Sequence, residues 1–147
     1  MLLTSQSFPP EGEIPKKFTC DGGDINPQLE IHNVPLSAKS LALIVDDPDA
    51  TGGATFTHWL VWNIDPKTTV IKQESKPPKS VQGLSDFNKP DYGGPCPPPG
   101  KKHRYFFRLY ALDTILNLTT DETRANLESA MQGHIIEETE LMGVYER

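Results

Sequence analysis

Apolar and polar residues alternate over three stretches of this chain with the two-residue period of a β-strand, in which side chains two apart share a face. In SLALIVDD, residues 40–47, the odd positions Leu41, Leu43 and Val45 are apolar and the next odd position is Asp47. In FTHWLVWNI, residues 56–64, His58 falls on the even face with Phe56, Leu60, Trp62 and Ile64, while Trp59 falls on the other. In HRYFFRLYAL, residues 103–112, His103, Tyr105, Phe107, Leu109 and Ala111 share a face, with Arg104 and Arg108 opposite. The pattern predicts strands at about 40–46, 56–64 and 103–112. Two shorter strands are expected around IPKKFT (14–19) and LEIHNV (29–34), separated by Pro and Gly turns.

One helix is predicted. It starts near Thr120 or Asp121, where Thr, Asp and Glu open LTTDETRANLESAMQG, places Leu127, Ala130 and Met131 at helical spacing, and stops at Gly133. The tail after Gly133 is ambiguous at its start and reads as a closing strand over 140–145. Residues 66–102 are polar and rich in Pro and Gly, which in a compact domain marks a functional loop region rather than a linker. The whole reads as a single, mainly β domain spanning 1–147, an ordinary length for one core.

Composition narrows the function classes. With 20 acidic against 14 basic residues the net charge is −6, and no basic cluster offers a nucleic-acid footprint. The 14 prolines are about twice the usual ~5% share and sit in turns, which implies shaped loops rather than disorder. No segment has the roughly 20 apolar residues of a transmembrane span. The start of the chain lacks the charged and apolar regions of a signal peptide, so the expected location is cytoplasmic. In that setting Cys20 and Cys96, the two cysteines, are expected as free thiols.

The candidate chemistry lies where the strands meet the Pro/Gly loops, since strand ends and loops display functional groups. A single histidine on an apolar strand face is more often a satisfied core residue than a ligand group. Here there are two, His58 and His103, each leading in from a Gly/Pro-rich segment, with Tyr105 beside the second and Asp47 at a strand end. Asp49 is as well explained by turn chemistry in Asp-Pro-Asp as by ligand contact. A facial triad of two His and one Asp would hold a metal with open positions, but the spacing carries no HxH or HExxH pattern, and no metal or other cofactor is expected. A Cys96–His103 nucleophilic dyad lacks a helix N-terminus to activate the thiol.

At this point the motifs DPDA (47–50), FTHWLVWNI (56–64) and GPCPPPGKKHRYFFRLYAL (94–112) resemble the phosphatidylethanolamine-binding protein family, in particular its bacterial and archaeal Raf kinase inhibitor-like branch. The resemblance extends to FTCDGGDINPQLEI (18–31) and to the C-terminal GHIIEETELMGVYER (133–147), and so covers nearly the whole chain. It implies an antiparallel β-sandwich of two sheets with one or two short helices in the C-terminal half, and a small cavity for phosphoryl-like anions. Carried over by motif, the ligand-binding residues are Asp47, Asp49, His58, His103 and Tyr105, with Gly94 and Pro95 in a loop that forms one rim. No catalytic residue is implied.

The expected function is therefore non-enzymatic: the binding of a small phosphoryl or anionic head group, with a regulatory role. The resemblance keeps two alternatives: inhibition of a protein kinase or protease through the pocket rim, and a hydrolase or isomerase using His58 or His103 as base with Asp47 orienting it. Bacterial relatives suggest a homodimer. A carboxylate beside an anion is repulsive, so either Asp47 is protonated or an imidazolium matches its charge. Anion affinity is then expected to rise as pH falls from about 8 to about 6, through the usual histidine range.

Overall fold

The computed structural model describes residues 1–147. Strands β1 (Leu2–Thr4), β2 (Leu29–His32) and β5 (Val70–Ile71) form a three-stranded antiparallel sheet in the order β1-β2-β5. Strands β3 (Ser40–Asp47), β4 (Phe56–Ile64), β6 (Val81–Gln82), β7 (His103–Leu112) and β8 (Ile135–Tyr145) form a second antiparallel sheet in the order β6-β4-β3-β7-β8. The chain is thus mainly β, with one α-helix, α1 (Arg124–Met131). No helix is long and apolar enough to cross a membrane.

The five-stranded sheet is apolar on both faces, and the two faces do different work. Leu41, Leu43 and Val45 of β3, with Phe107 and Leu109 of β7, pack in one cluster with Leu3, Leu29 and Ile31 of the smaller sheet. On the reverse face Ala42, Ile44, Leu60 and Trp62 pack with Leu127 and Met131 of α1. Double coverage explains why β3 reads as an unbroken apolar run from Leu41 to Val45.

Strand parity holds along β3 and β7 but not along β4. Asp47 pairs with Phe56 and Asp46 with Thr57, yet Val45 pairs with Trp59, so β4 carries an extra residue at His58. A second shift lies between the pairs Leu43–Val61 and Leu41–Ile64 and contains Asn63, which has a φ of 54°. These bulges correct the alternation expected from sequence. Trp59, Val61 and Ile64 face the smaller sheet, Leu60 and Trp62 face α1, and His58 returns to the side of Phe56, Tyr105 and Asp47. A bulge re-aims a side chain in this way at the cost of one ladder position.

Other differences have local causes. Residues 14–19 are not a strand: Ile14 donates its N–H to the Val144 carbonyl, and Pro15 then leads into a single 3₁₀ turn, Lys16–Phe18, that buries Phe18. The closing strand starts at Ile135 rather than 140, held by backbone pairing to β7 from Leu112 to His103. Its first four residues are exposed, so no apolar alternation announces them. Helix α1 starts later than expected, at Arg124, because Thr123 is its N-cap and accepts the Asn126 N–H. Cys20 and Cys96, expected as thiols, form a disulfide across 76 residues of sequence.

Candidate functional site

At the end of β3 and the starts of β4 and β7, a cavity of about 370 Å³ is lined by Asp47, Phe56, His58, His103 and Tyr105. Ala50, Thr51, Phe87 and the segment Cys96 to Pro98 complete its wall. Antiparallel pairing brings the polar residues together. Both β4 and β7 flank β3, so the segment that ends in Asp47 lies between His58 on one side and His103 with Tyr105 on the other.

Each histidine is oriented by its Nδ1. His58 Nδ1 lies 2.8 Å from the Gly93 carbonyl oxygen, which can only accept, so the proton is on Nδ1. The Gly93 N–H returns a bond to the His58 carbonyl at 3.1 Å. His103 Nδ1 donates to Asp47 Oδ2 at 2.7 Å, and Asp47 Oδ1 accepts the Asp49 N–H at 2.8 Å. Both carboxylate oxygens of Asp47 are therefore spent inside the protein. That answers the charge problem raised by the sequence, because a carboxylate engaged in orienting His103 need not meet the ligand itself.

The atoms left free are the two Nε2 nitrogens, which have no partner in the protein, and the Tyr105 hydroxyl, which is buried and unpaired. Rings fix their placement: His58 sits edge-on to Tyr105, Phe56 and Phe87 at centroid distances of 5.3, 5.1 and 5.2 Å. Burial lowers the His58 pKa below the ordinary histidine value, opposed by the Gly93 carbonyl and the charge of Asp47. Burial also raises the Tyr105 pKa, reinforced by Asp47, so its hydroxyl stays a donor. No Lys or Arg lines the cavity.

Three residues expected in the ligand shell do other work. The Asp49 carboxylate is held by Arg104, through its backbone N–H at 3.0 Å and its guanidinium at 2.8 and 2.9 Å, and that bond lowers the Asp49 pKa to about 2. Gly94 donates its N–H to Asp24 Oδ1 at 2.7 Å, and the Pro95 carbonyl accepts from the Cys20 N–H at 3.0 Å. With the disulfide and the Tyr92 hydroxyl bonded to the Phe18 carbonyl, these contacts fasten the proline loop to residues 18–24. The cavity wall begins one residue later, at Cys96.

Glycine is required in this loop. A Cβ on Gly94 would stand 2.2 Å from the Phe18 carbonyl oxygen, and one on Gly93 would stand 2.4 Å from the Phe87 ring. Reading the sequence without the fold misses Gly93, Phe56 and Phe87 as site residues. The signal available was the Gly93-Gly94 doublet, which marks a close backbone approach.

The chain belongs to the phosphatidylethanolamine-binding protein family, whose profile matches residues 4–146. A UPF0098 protein of Pyrococcus abyssi is 48% identical over 154 residues, covering 100% of this chain and 86% of that protein. A UPF0098 protein of Methanothermobacter thermautotrophicus is 46% identical, covering 100% and 99%. Among solved structures, CT736 of Chlamydia trachomatis, a homologue of phosphatidylethanolamine-binding proteins, superposes with a TM-score of 0.93 at 43% identity, covering 99% and 96% of the two chains. YbcL of Escherichia coli, a member of the mammalian phosphatidylethanolamine-binding protein family, gives 0.92 at 31% identity, covering 99% and 97%.

Proposed function

We propose that the protein is a non-enzymatic binder of a small anionic or phosphoryl group, held in the cavity between β3, β4 and β7, with a regulatory role exercised through that ligand. One observation carries this reading: His58 and His103 both anchor Nδ1 to the protein and leave Nε2 as the free polar atom in one cavity. The Tyr105 hydroxyl lies buried next to them without a hydrogen-bond partner. Phe56, Phe87, Pro97 and Pro98 supply apolar wall for the organic part of a ligand. The Asp47–His103 pair has the form of an oriented base, but the cavity lining contains no Ser or Lys nucleophile and its cysteine is in a disulfide.

Titration with phenyl phosphate, followed by calorimetry, tests the reading. Binding is expected for the native chain and a loss of at least about tenfold for His103→Ala. Normal binding by that variant, or turnover of the ester, would sink it. Residence in the cytoplasm, the expectation from the sequence, then requires one that tolerates the Cys20–Cys96 bond, as in hyperthermophilic archaea; a mesophilic source implies an oxidising compartment instead.

A further inference from the structure

The end of the large sheet away from the cavity carries a second groove. It encloses about 560 Å³ where β3 begins, β4 ends and β6 begins, and Lys39, Lys67 and Lys79 line it. These lysines come from three separate loops and gather here although the chain as a whole carries a net charge of −6. All three are exposed, and none takes part in an ion pair. By contrast Arg104, Arg108, Arg124 and Arg147, all the arginines of the chain, are each held by an Asp. The one acidic residue in the lining, Asp65, turns Oδ1 back to the Lys67 N–H at 2.9 Å. The groove is therefore a local concentration of unspent positive charge.

The loops that carry the lysines are fastened. Lys39 donates its N–H to the Leu112 carbonyl at 2.8 Å, Thr68 donates to the Asp65 carbonyl at 2.9 Å, and Ser80 closes a turn on the Pro77 carbonyl at 3.2 Å. Asn63, at the second bulge of β4, bonds both the N–H and the carbonyl of Leu116 at 2.8 Å; Leu116 is buried, while its neighbour Ile115 stands 60% exposed at the groove. A single exposed Ile is ordinary on a protein surface. This one shares a wall with Pro66 and Pro78 beside the unpaired lysines. We propose that the groove docks an acidic segment of a partner protein, its Asp or Glu side chains meeting the three lysines and an aliphatic side chain covering Ile115.

Carboxylates spaced along a chain fit these donors better than one compact anion. The lining has no Arg to fork a phosphoryl group, and its ammonium groups are point charges on flexible stems set in different loops. Three lysines are too few for a nucleic-acid footprint on a chain of net charge −6. The groove is also independent of the cavity. Strand β3 runs from Ser40 beside the groove to Asp47 in the cavity, and at about 3.3 Å per residue the two lie roughly 25 Å apart, about three Debye lengths at physiological salt. Occupation of one end leaves the other free to bind.

Fluorescence anisotropy with the full chain and a short, blocked, dye-labelled peptide of Glu and Leu tests this. Exchanging Glu for Gln in the peptide is expected to weaken binding at least about tenfold, and Leu for Ala at least about threefold. Affinity is expected to fall between about 50 and about 200 mM salt. In the protein, Lys39→Gln, Lys67→Gln and Lys79→Gln each weaken binding, and the three together by at least about tenfold. Lys101→Gln combined with Lys102→Gln removes charge at the opposite end of the sheet, just before β7, and is expected to change nothing. All of these lysines are exposed, so thermal melts of the variants are expected to match the native chain. No binding of the Glu/Leu peptide, equal binding of either altered peptide, or an equal loss from the Lys101 and Lys102 substitutions overturns the proposal. A single-stranded oligonucleotide that binds as tightly as the peptide also overturns it, because the groove would then be a general polyanion surface.

Discussion

Asp46 and Asp47 are consecutive on β3, both buried, and they face opposite sides of the same sheet. Asp46 turns toward the α1 face, where Arg108 bonds both its oxygens at 2.9 and 3.2 Å and Arg124 approaches at 2.9 Å. Those arginines are in turn matched by Glu140 and Glu128 at 2.7 Å. Asp47 turns toward the cavity and is satisfied by His103 and the Asp49 N–H, but the network beyond it stops at a free Nε2. A buried carboxylate therefore does not mark a site by itself. What separates the two is whether the chain of hydrogen bonds closes on the protein or ends at an unspent polar atom facing space.

The largest expected effect comes from the tether that holds the cavity side together. The α1 face is fastened by ion pairs, the cavity loop by the Cys20–Cys96 bond. Closing a loop of 76 residues restricts the unfolded chain by an amount worth about 4 kcal/mol on the chain-entropy account. Replacing both cysteines by Ser is expected to lower stability by that order in denaturant melts, with phosphate affinity falling too because Cys96 is part of the wall. A double variant as stable as the native chain would show that hydrogen bonds from Gly94 and Pro95 hold the loop unaided.

Next comes Asp46→Ala, which leaves two partly buried guanidinium groups facing each other without their shared anion. Removing one partner of such a cluster costs about 3 kcal/mol. The comparison predicts a stability loss with ligand affinity of the folded protein unchanged. Lost affinity at full stability would reverse the assignment of the two faces.

Much of this arrangement is legible in the sequence, and the exceptions have a common origin. The parity of β3 and β7 places Asp47, His103 and Tyr105 correctly because neither strand is interrupted where they lie. Simple alternation groups His58 with Leu60 and Trp62, yet it reaches the cavity through a bulge, which inserts one residue without any change in residue type. The Phe87 wall and the roles of Gly93, Gly94 and Pro95 depend on where a long loop lands, and local propensity does not encode that. The Cys20–Cys96 bond is not legible either, because compartment does not decide a pairing between two residues 76 apart that only the fold brings together.

Asp47→Ala is predicted to be the mirror image of Asp46→Ala. It removes a hydrogen-bonded carboxylate next to a histidine rather than the anion shared by two arginines, so its stability cost is about 1 kcal/mol. Binding of phenyl phosphate, however, is expected to fall at least about tenfold, because His103 loses the hydrogen bond that orients it. Urea melts and calorimetry on the same preparations read the two quantities. Equal effects of the two substitutions on both would erase the distinction between a closed and an open network.

The smallest effect is a pH dependence that only the cavity face should show. Burial keeps His58 neutral by lowering its pKa below that of a histidine in the unfolded chain, about 6.5. Below that pH the unfolded state binds the proton and the folded state does not, so this contribution is present above about 6.5 and is lost as pH falls beneath it. Thermal melts between about pH 7.5 and 5 are expected to show a downward slope that flattens in His58→Gln, which has no titrating group. Asp49 responds only in stronger acid, since its pKa of about 2 keeps it ionised throughout that window. If the slope survives in His58→Gln, His58 is not the group held neutral by burial.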